Sequence, residues 1–129
     1  MLAARRSVFQ YAIVRVVPRV ERGECVNAGV VLLCRPRRFL GARIRLNVER
    51  LAALAPELDV GVLQPHLAAI ERIAAGDASA GPIAGLGLAE RFHWLVAPSS
   101  TMIQPSEVHT GLCEDPAAEL DHLVSSLVD

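Results

Sequence analysis

The residues most able to do chemistry in this 129-residue chain fall in two short polar segments, each set beside an apolar run. In the first, Arg22-Gly23-Glu24-Cys25-Val26-Asn27-Ala28-Gly29, a carboxylate and a carboxamide lie three residues apart at the entrance to a strand-like stretch. An extended backbone directs side chains three apart to opposite sides, so Glu24 and Asn27 share a site only if the chain turns or bulges between them. Gly29 makes a bulge or a close backbone approach credible. Glu24 is then a base or a cation ligand, with Asn27 orienting a ligand through its amide. The competing structural reading has Glu24 bonded to loop N–H groups or paired with Arg15 or Arg43, and Asn27 tying down a hairpin.

The second segment offers the hydroxyls of Ser99, Ser100, Thr101 and Thr110, the amide of Gln104 and the imidazole of His109. A hydroxyl nucleophile with a histidine base is chemically conceivable. Against it, no nucleophile-elbow pattern is present and no acid is evidently placed to orient His109. Ser and Thr loops commonly bond to their own backbone, and an anion site built from hydroxyls, N–H groups and an arginine lies between these readings. The candidate cluster is therefore Arg15, Glu24, Asn27, Ser100, Thr101, Gln104, His109 and Thr110, and it works as one cleft only if the two segments converge.

Other chemistries fit less well. Cys25, Cys34 and Cys113 lack paired metal-site or redox spacing, and His66, His93, His109 and His122 are far apart, so no metal or cofactor is expected. Buried reduced thiols are the ordinary reading of such cysteines. No phosphate loop, dinucleotide fingerprint or kinase motif set occurs.

Charge divides the chain. Residues 1–50 hold 11 Arg against 3 acids and residues 51–129 hold 2 Arg against 11 acids, giving +8 and −9 within a net charge of −1. All 13 basic residues are Arg, which suits planar, bidentate contacts with carboxylate or phosphate. The structural reading pairs basic strands with acidic helices. The functional reading exposes Arg15, Arg35, Arg37, Arg38, Arg43 and Arg45 to nucleic acid, but few aromatics interleave with them as single-strand binding requires, so the pairing is preferred.

The elements that must position these groups follow from periodicity. Val8 to Val17 and Val26 to Cys34 are apolar on both faces and read as central strands joined as a hairpin. Phe39 to Leu46 alternates and reads as a strand with one wet face. Asn47 caps a short helix to Leu54; a second helix spans Gly61 to Ala75, with Pro65 in its first turn, and Gly76 closes it. Asp77 to Ala89 reads as a loose connection. Phe92 to Ala97 reads as a fourth strand, and Asp115-Pro116 starts a final amphipathic helix. The order β-β-β-α-α-β-α predicts one α+β domain over residues 1–129: a mainly antiparallel four-stranded sheet with helices packed on one face. The absence of a long apolar run or a secretory cleavage pattern predicts a cytoplasmic protein without a membrane span.

Tyr11-Ala12-Ile13-Val14-Arg15, Arg22-Gly23-Glu24 with Asn27-Ala28-Gly29-Val30-Val31-Leu32, Phe92-His93-Trp94-Leu95, and Gln104-Pro105-Ser106 with His109-Thr110-Gly111-Leu112 together resemble the bacterial family catalogued as domain of unknown function 3037. The resemblance extends along nearly the whole chain. It implies a small cytoplasmic bacterial protein without an assigned reaction, and members encoded near kinases similar to the HipA toxin type imply a partner role. The family pattern carries a basic residue at the place of Ser99, a departure that weakens an anion site on this loop. Three functions follow: an accessory or regulatory protein-binding module, an enzyme acting by hydrolysis or on phosphoryl groups through the polar cleft, or a nucleic-acid-binding module.

Overall fold

Strands β1 (Ser7–Val16) and β2 (Val26–Cys34) are apolar on both faces because helices cover the sheet on both sides. A computed structural model describes residues 5–99 and 101–129. After β3 (Phe39–Ile44) come α1 (Val48–Leu54), α2 (Val60–Ala75) and α3 (Leu88–Leu95), then β4 (Ile103–Pro105), β5 (His109–Cys113) and α4 (Pro116–Leu127). All strand pairings are antiparallel, in the order β3-β2-β1-β4 with β5 also on β1. The expected α+β class is the one observed.

Alternation divides the side chains into two cores. Val14, Val16, Val31 and Leu33 meet Leu51 of α1, Leu63 and Leu67 of α2 and Phe92 of α3. Phe9, Val30, Leu32 and Cys34 face the other way, onto Leu120, Val124 and Val128 at α4. The helices are thus not gathered on one face: among the described residues, α4 alone covers the second. It must, because β2 is buried at every position but Asn27 and a sheet apolar on both sides cannot leave one in water.

The fourth strand is also displaced from its expected place. Phe92 to Ala97 is not a strand; most of it belongs to α3. Leu88, Phe92 and Leu95 are spaced at i, i+4 and i+7, and all three pack into the first core. The sheet position expected for that segment is taken by β4 and β5. These pair with successive parts of the same edge of β1, Val14–Val16 and Ser7–Tyr11, with one residue more between them than β1 has opposite. They act as one edge strand with an internal bulge.

Local signals held elsewhere. Asn47 Oδ1 accepts from the Arg50 N–H at 2.9 Å, and Asp115 Oδ1 accepts from Ala117 and Ala118 N–H at 3.1 and 3.3 Å. Gly76 closes α2 at φ 74°, where a side chain would be strained. α2, however, begins at Val60, with Asp59 accepting from Gly61 N–H at 2.9 Å, and so takes Pro65 into its body. The stretch Asp77 to Ala89 is ordered into 3-10 turns at Ala78–Ala80 and Pro82–Gly85 before α3. No helix among the described residues is long and apolar enough to cross a membrane.

Candidate functional site

The bulge expected near Gly29 is present: β2 has one residue more than β1 between Asn27 and Gly29. A Cβ on Gly29 would lie 2.5 Å from the Arg43 carbonyl oxygen, so β3 approaches β2 too closely there for a side chain. The bulge leaves Asn27 opposite Arg15, and Arg15 lies opposite Gln104 on its other side. Directly opposed residues share a sheet face with Cβ atoms about 4.5–5.5 Å apart. Asn27, Arg15 and Gln104 therefore form a polar row across β2, β1 and β4, on the α4 side of the sheet.

Each side chain of the row donates one hydrogen bond within the fold. Asn27 Nδ2 donates to the Leu127 carbonyl at 2.9 Å, anchoring the end of α4. Arg15 Nη2 donates to the Pro105 carbonyl at 3.1 Å, and Gln104 Nε2 to the Thr101 carbonyl at 2.8 Å. Arg15 Nε is buried without a partner among the described residues. The 99–101 loop bonds to itself: Ser99 Oγ lies 2.9 Å from Thr101 Oγ1 and accepts from Thr101 N–H, while Thr101 Oγ1 donates to the Ile103 carbonyl at 2.9 Å. Ser100 lies outside the described residues.

Glu24 is not brought to this row. It is exposed in the β1–β2 connection, where the Arg22 guanidinium bonds it and holds its carboxyl below the usual carboxylate range. With Arg19, Glu57 and the end of α1 it lines a cavity of about 360 Å³. His109 stands opposite Tyr11, ring centroids 5.2 Å apart. Tyr11 is five residues from the end of β1, or about 17 Å of strand, and Glu24 lies beyond that end. Thr110 faces Gln10 on the other side of the sheet. The structure therefore joins Arg15, Asn27, Gln104 and Thr101 and leaves Glu24, His109 and Thr110 apart.

The arginines separate as well. Arg43 pairs with Asp121 at 2.5 Å and Arg45 with Asp129 at 2.6 Å, both across the halves of the chain and both exposed. Such pairs contribute little singly, but they occupy two of the six arginines a nucleic-acid face would use. Arg15 is a third, bonded inside the sheet.

A larger, apolar cavity of about 910 Å³ lies between β1, β4, α2 and α3, and sequence reasoning singled out only Ser99 and Thr101 of its lining as candidates for chemistry. Val14, Leu63, Ile70, Leu95, Met102 and Ile103 form its floor and walls, and His66 and Thr101 lie among its few polar groups. Trp94 borders it with 53% of its surface exposed, and Val62 with 61%. As a strand, the 92–97 segment puts Phe92 and Trp94 together in the core. As a helix it separates them by about 200°, burying Phe92 and turning Trp94 outward. The signal that could have found this was Leu88, four residues before Phe92.

The family model described as "Protein of unknown function (DUF3037)" matches residues 11–128. No curated protein and no solved structure gives a match.

Proposed function

The chain belongs to the DUF3037 family, and from that premise we propose that it is an accessory protein-binding module whose apolar cavity receives a segment of a partner protein. One observation carries this reading: an exposed tryptophan bordering a cavity lined mainly by aliphatic side chains. Exposed aromatic surface costs free energy in water, and tryptophan is enriched at binding hot spots. The volume lies near the upper end for ligand sites, large enough for several side chains of a docked segment. The polar row supports the module differently, by fixing the sheet edge and the end of α4. With Glu24 and His109 apart, it supplies no nucleophile–base pair. The family resemblance makes a kinase similar to the HipA toxin type the first partner to try.

Trp94 is the only tryptophan, so its fluorescence reports the cavity alone. Titrating the purified chain with such a kinase is expected to shift Trp94 emission. A photo-crosslinking residue in place of Val62, used in native cells, is expected to capture the same protein, and Trp94→Ala to abolish the capture without unfolding the chain. Capture insensitive to Trp94→Ala, or no stoichiometric adduct, refutes the cavity as the docking site.

A further inference from the structure

The sheet ends in two edges that differ in how they are closed. Along β3 the N–H groups that point away from β2 belong to Leu40, Ala42 and Ile44, because the ladder alternates. The Ile44 N–H donates to Glu71 Oε2 of α2 at 3.0 Å and α2 packs against the strand, while no acceptor for the Leu40 and Ala42 N–H groups is found among the described residues. On the other edge, Val17 N–H donates to the Met102 carbonyl, and Ser106 N–H to the Ile13 carbonyl. Odd-numbered residues of β1 thus face β4 and β5. β1 has no extra residue, so the alternation continues to Tyr11, Phe9 and Ser7, which bond inward to His109, Gly111 and Cys113.

Thr110 and Leu112 therefore direct their backbone N–H and C=O groups outward. No hydrogen bond to either outward group is found among the described residues. The β4 half of the same edge is guarded, because Pro105 points outward and has no N–H to offer. The β5 half has no proline and no formal charge from His109 to Cys113, so of the defences of a free edge it keeps only its short length and the adjoining bulge. It also carries an apolar pair: Leu112, 57% exposed, lies opposite Val8, 55% exposed.

We propose that the free edge of β5 is a docking site for an extended segment of a partner protein, apolar at alternate positions and basic beside Glu107, which adds to the sheet as a further strand. Two outward residues form the backbone bonds of such strand addition, and the incoming side chains continue the Val8–Leu112 row. Charge selects the occupant. Glu107 is exposed at one end of the edge and finds no ion-pair partner among the described residues. A second copy of the chain, paired antiparallel about Gly111, would set Glu107 against Asp115, so like charges oppose that occupant. This surface is separate from the Trp94 cavity, and its test reads different residues.

The probe is a synthetic heptapeptide of three threonine–valine repeats followed by one lysine, which antiparallel addition to β5 sets beside Glu107 with valines opposite Leu112 and Thr110, with a control carrying glutamate for lysine. Backbone amide NMR of the full chain is expected to show shifts centred on Thr110 and Leu112, with their amide exchange slowed roughly tenfold at saturation. The lysine peptide should bind several-fold more tightly than the control, and Glu107→Lys, at an exposed position, should reverse that order. Leu112→Pro removes an outward donor and should abolish binding; Glu107→Lys keeps the test decisive if that variant fails to fold. Shifts centred on the Trp94 cavity, no protection of Thr110 and Leu112, equal affinity for the two peptides, or self-association through β5 without peptide would each overturn the proposal.

Discussion

Ile13 and Ser106 exchange two hydrogen bonds: the Ile13 N–H donates to Ser106 Oγ at 2.8 Å, and the Ser106 N–H donates to the Ile13 carbonyl at 2.8 Å. A hydroxyl thus takes the place of the strand carbonyl that the break between β4 and β5 removes. The same hydroxyl donates to the Glu107 carbonyl at 2.8 Å, turning the chain into the bulge. Ser106 is the one buried polar residue among those described, and its burial is explained by these bonds.

Ser106→Ala leaves the Ile13 N–H unpaired inside the sheet, a loss of about 1–3 kcal/mol. Urea unfolding is the measurement, with hydrogen exchange at Ile13 rising more than at Val30. Unchanged Ile13 exchange would show that the hydroxyl bond is dispensable.

Gly29→Ala drives a Cβ to 2.5 Å from the Arg43 carbonyl oxygen and against the Ile44 side chain. A backbone oxygen in a paired strand cannot step aside as a flexible side chain can, so the loss is expected at or above the roughly 3 kcal/mol upper range for overpacking. The bulge fixes the place of Asn27, so slowed exchange of the last turn of α4 should be lost as well.

Glu71→Ala uncaps the Ile44 N–H and opens the β3 edge. A stability loss of about 1 kcal/mol with concentration-dependent self-association, measured by sedimentation, is the expected pair of outcomes. Glu71→Gln keeps an acceptor and should sediment as the parent chain does in the range where Glu71→Ala associates.

The cysteines should react in order of exposure. Cys25 is exposed while Cys34 and Cys113 are buried, so a thiol reagent should titrate one group in the native chain and three in denaturant. Burial, aided by neighbouring Cys34, pushes the Cys113 thiol from 9.0 up to about 11. The unfolded chain then ionises Cys113 at lower pH than the folded one. Its contribution to stability is full below about pH 9 and is lost as pH rises through about 11. Thermal melts across that window should fall more steeply for the native chain than for Cys113→Ala.

Much of the framework was legible because its causes are local. The caps at Asn47 and Asp115 and the stop at Gly76 act within one helical turn, and the two-sided apolar runs of β1 and β2 need no knowledge of what covers them. Gly29 likewise announced a bulge before its neighbour was known. The fourth strand was not legible, because Ile103 to Cys113 is broken by Pro105, Ser106 and Glu107 and becomes a strand only when β1 supplies the other half of its ladder. In the candidate cluster, Arg15, Asn27 and Gln104 could be named from their types, but their adjacency depends on cross-strand register.

What this sequence determines by itself is an antiparallel α+β framework with apolar strands at its centre, since hydrophobic period and capping chemistry are properties of neighbouring residues. The tertiary structure alone decided which helix covers which face, that Glu24 and His109 stay apart, and that Trp94 and the β5 edge remain open. Those outcomes rest on contacts between residues far apart in the chain, where a shift of one strand position sends every side chain to the opposite face.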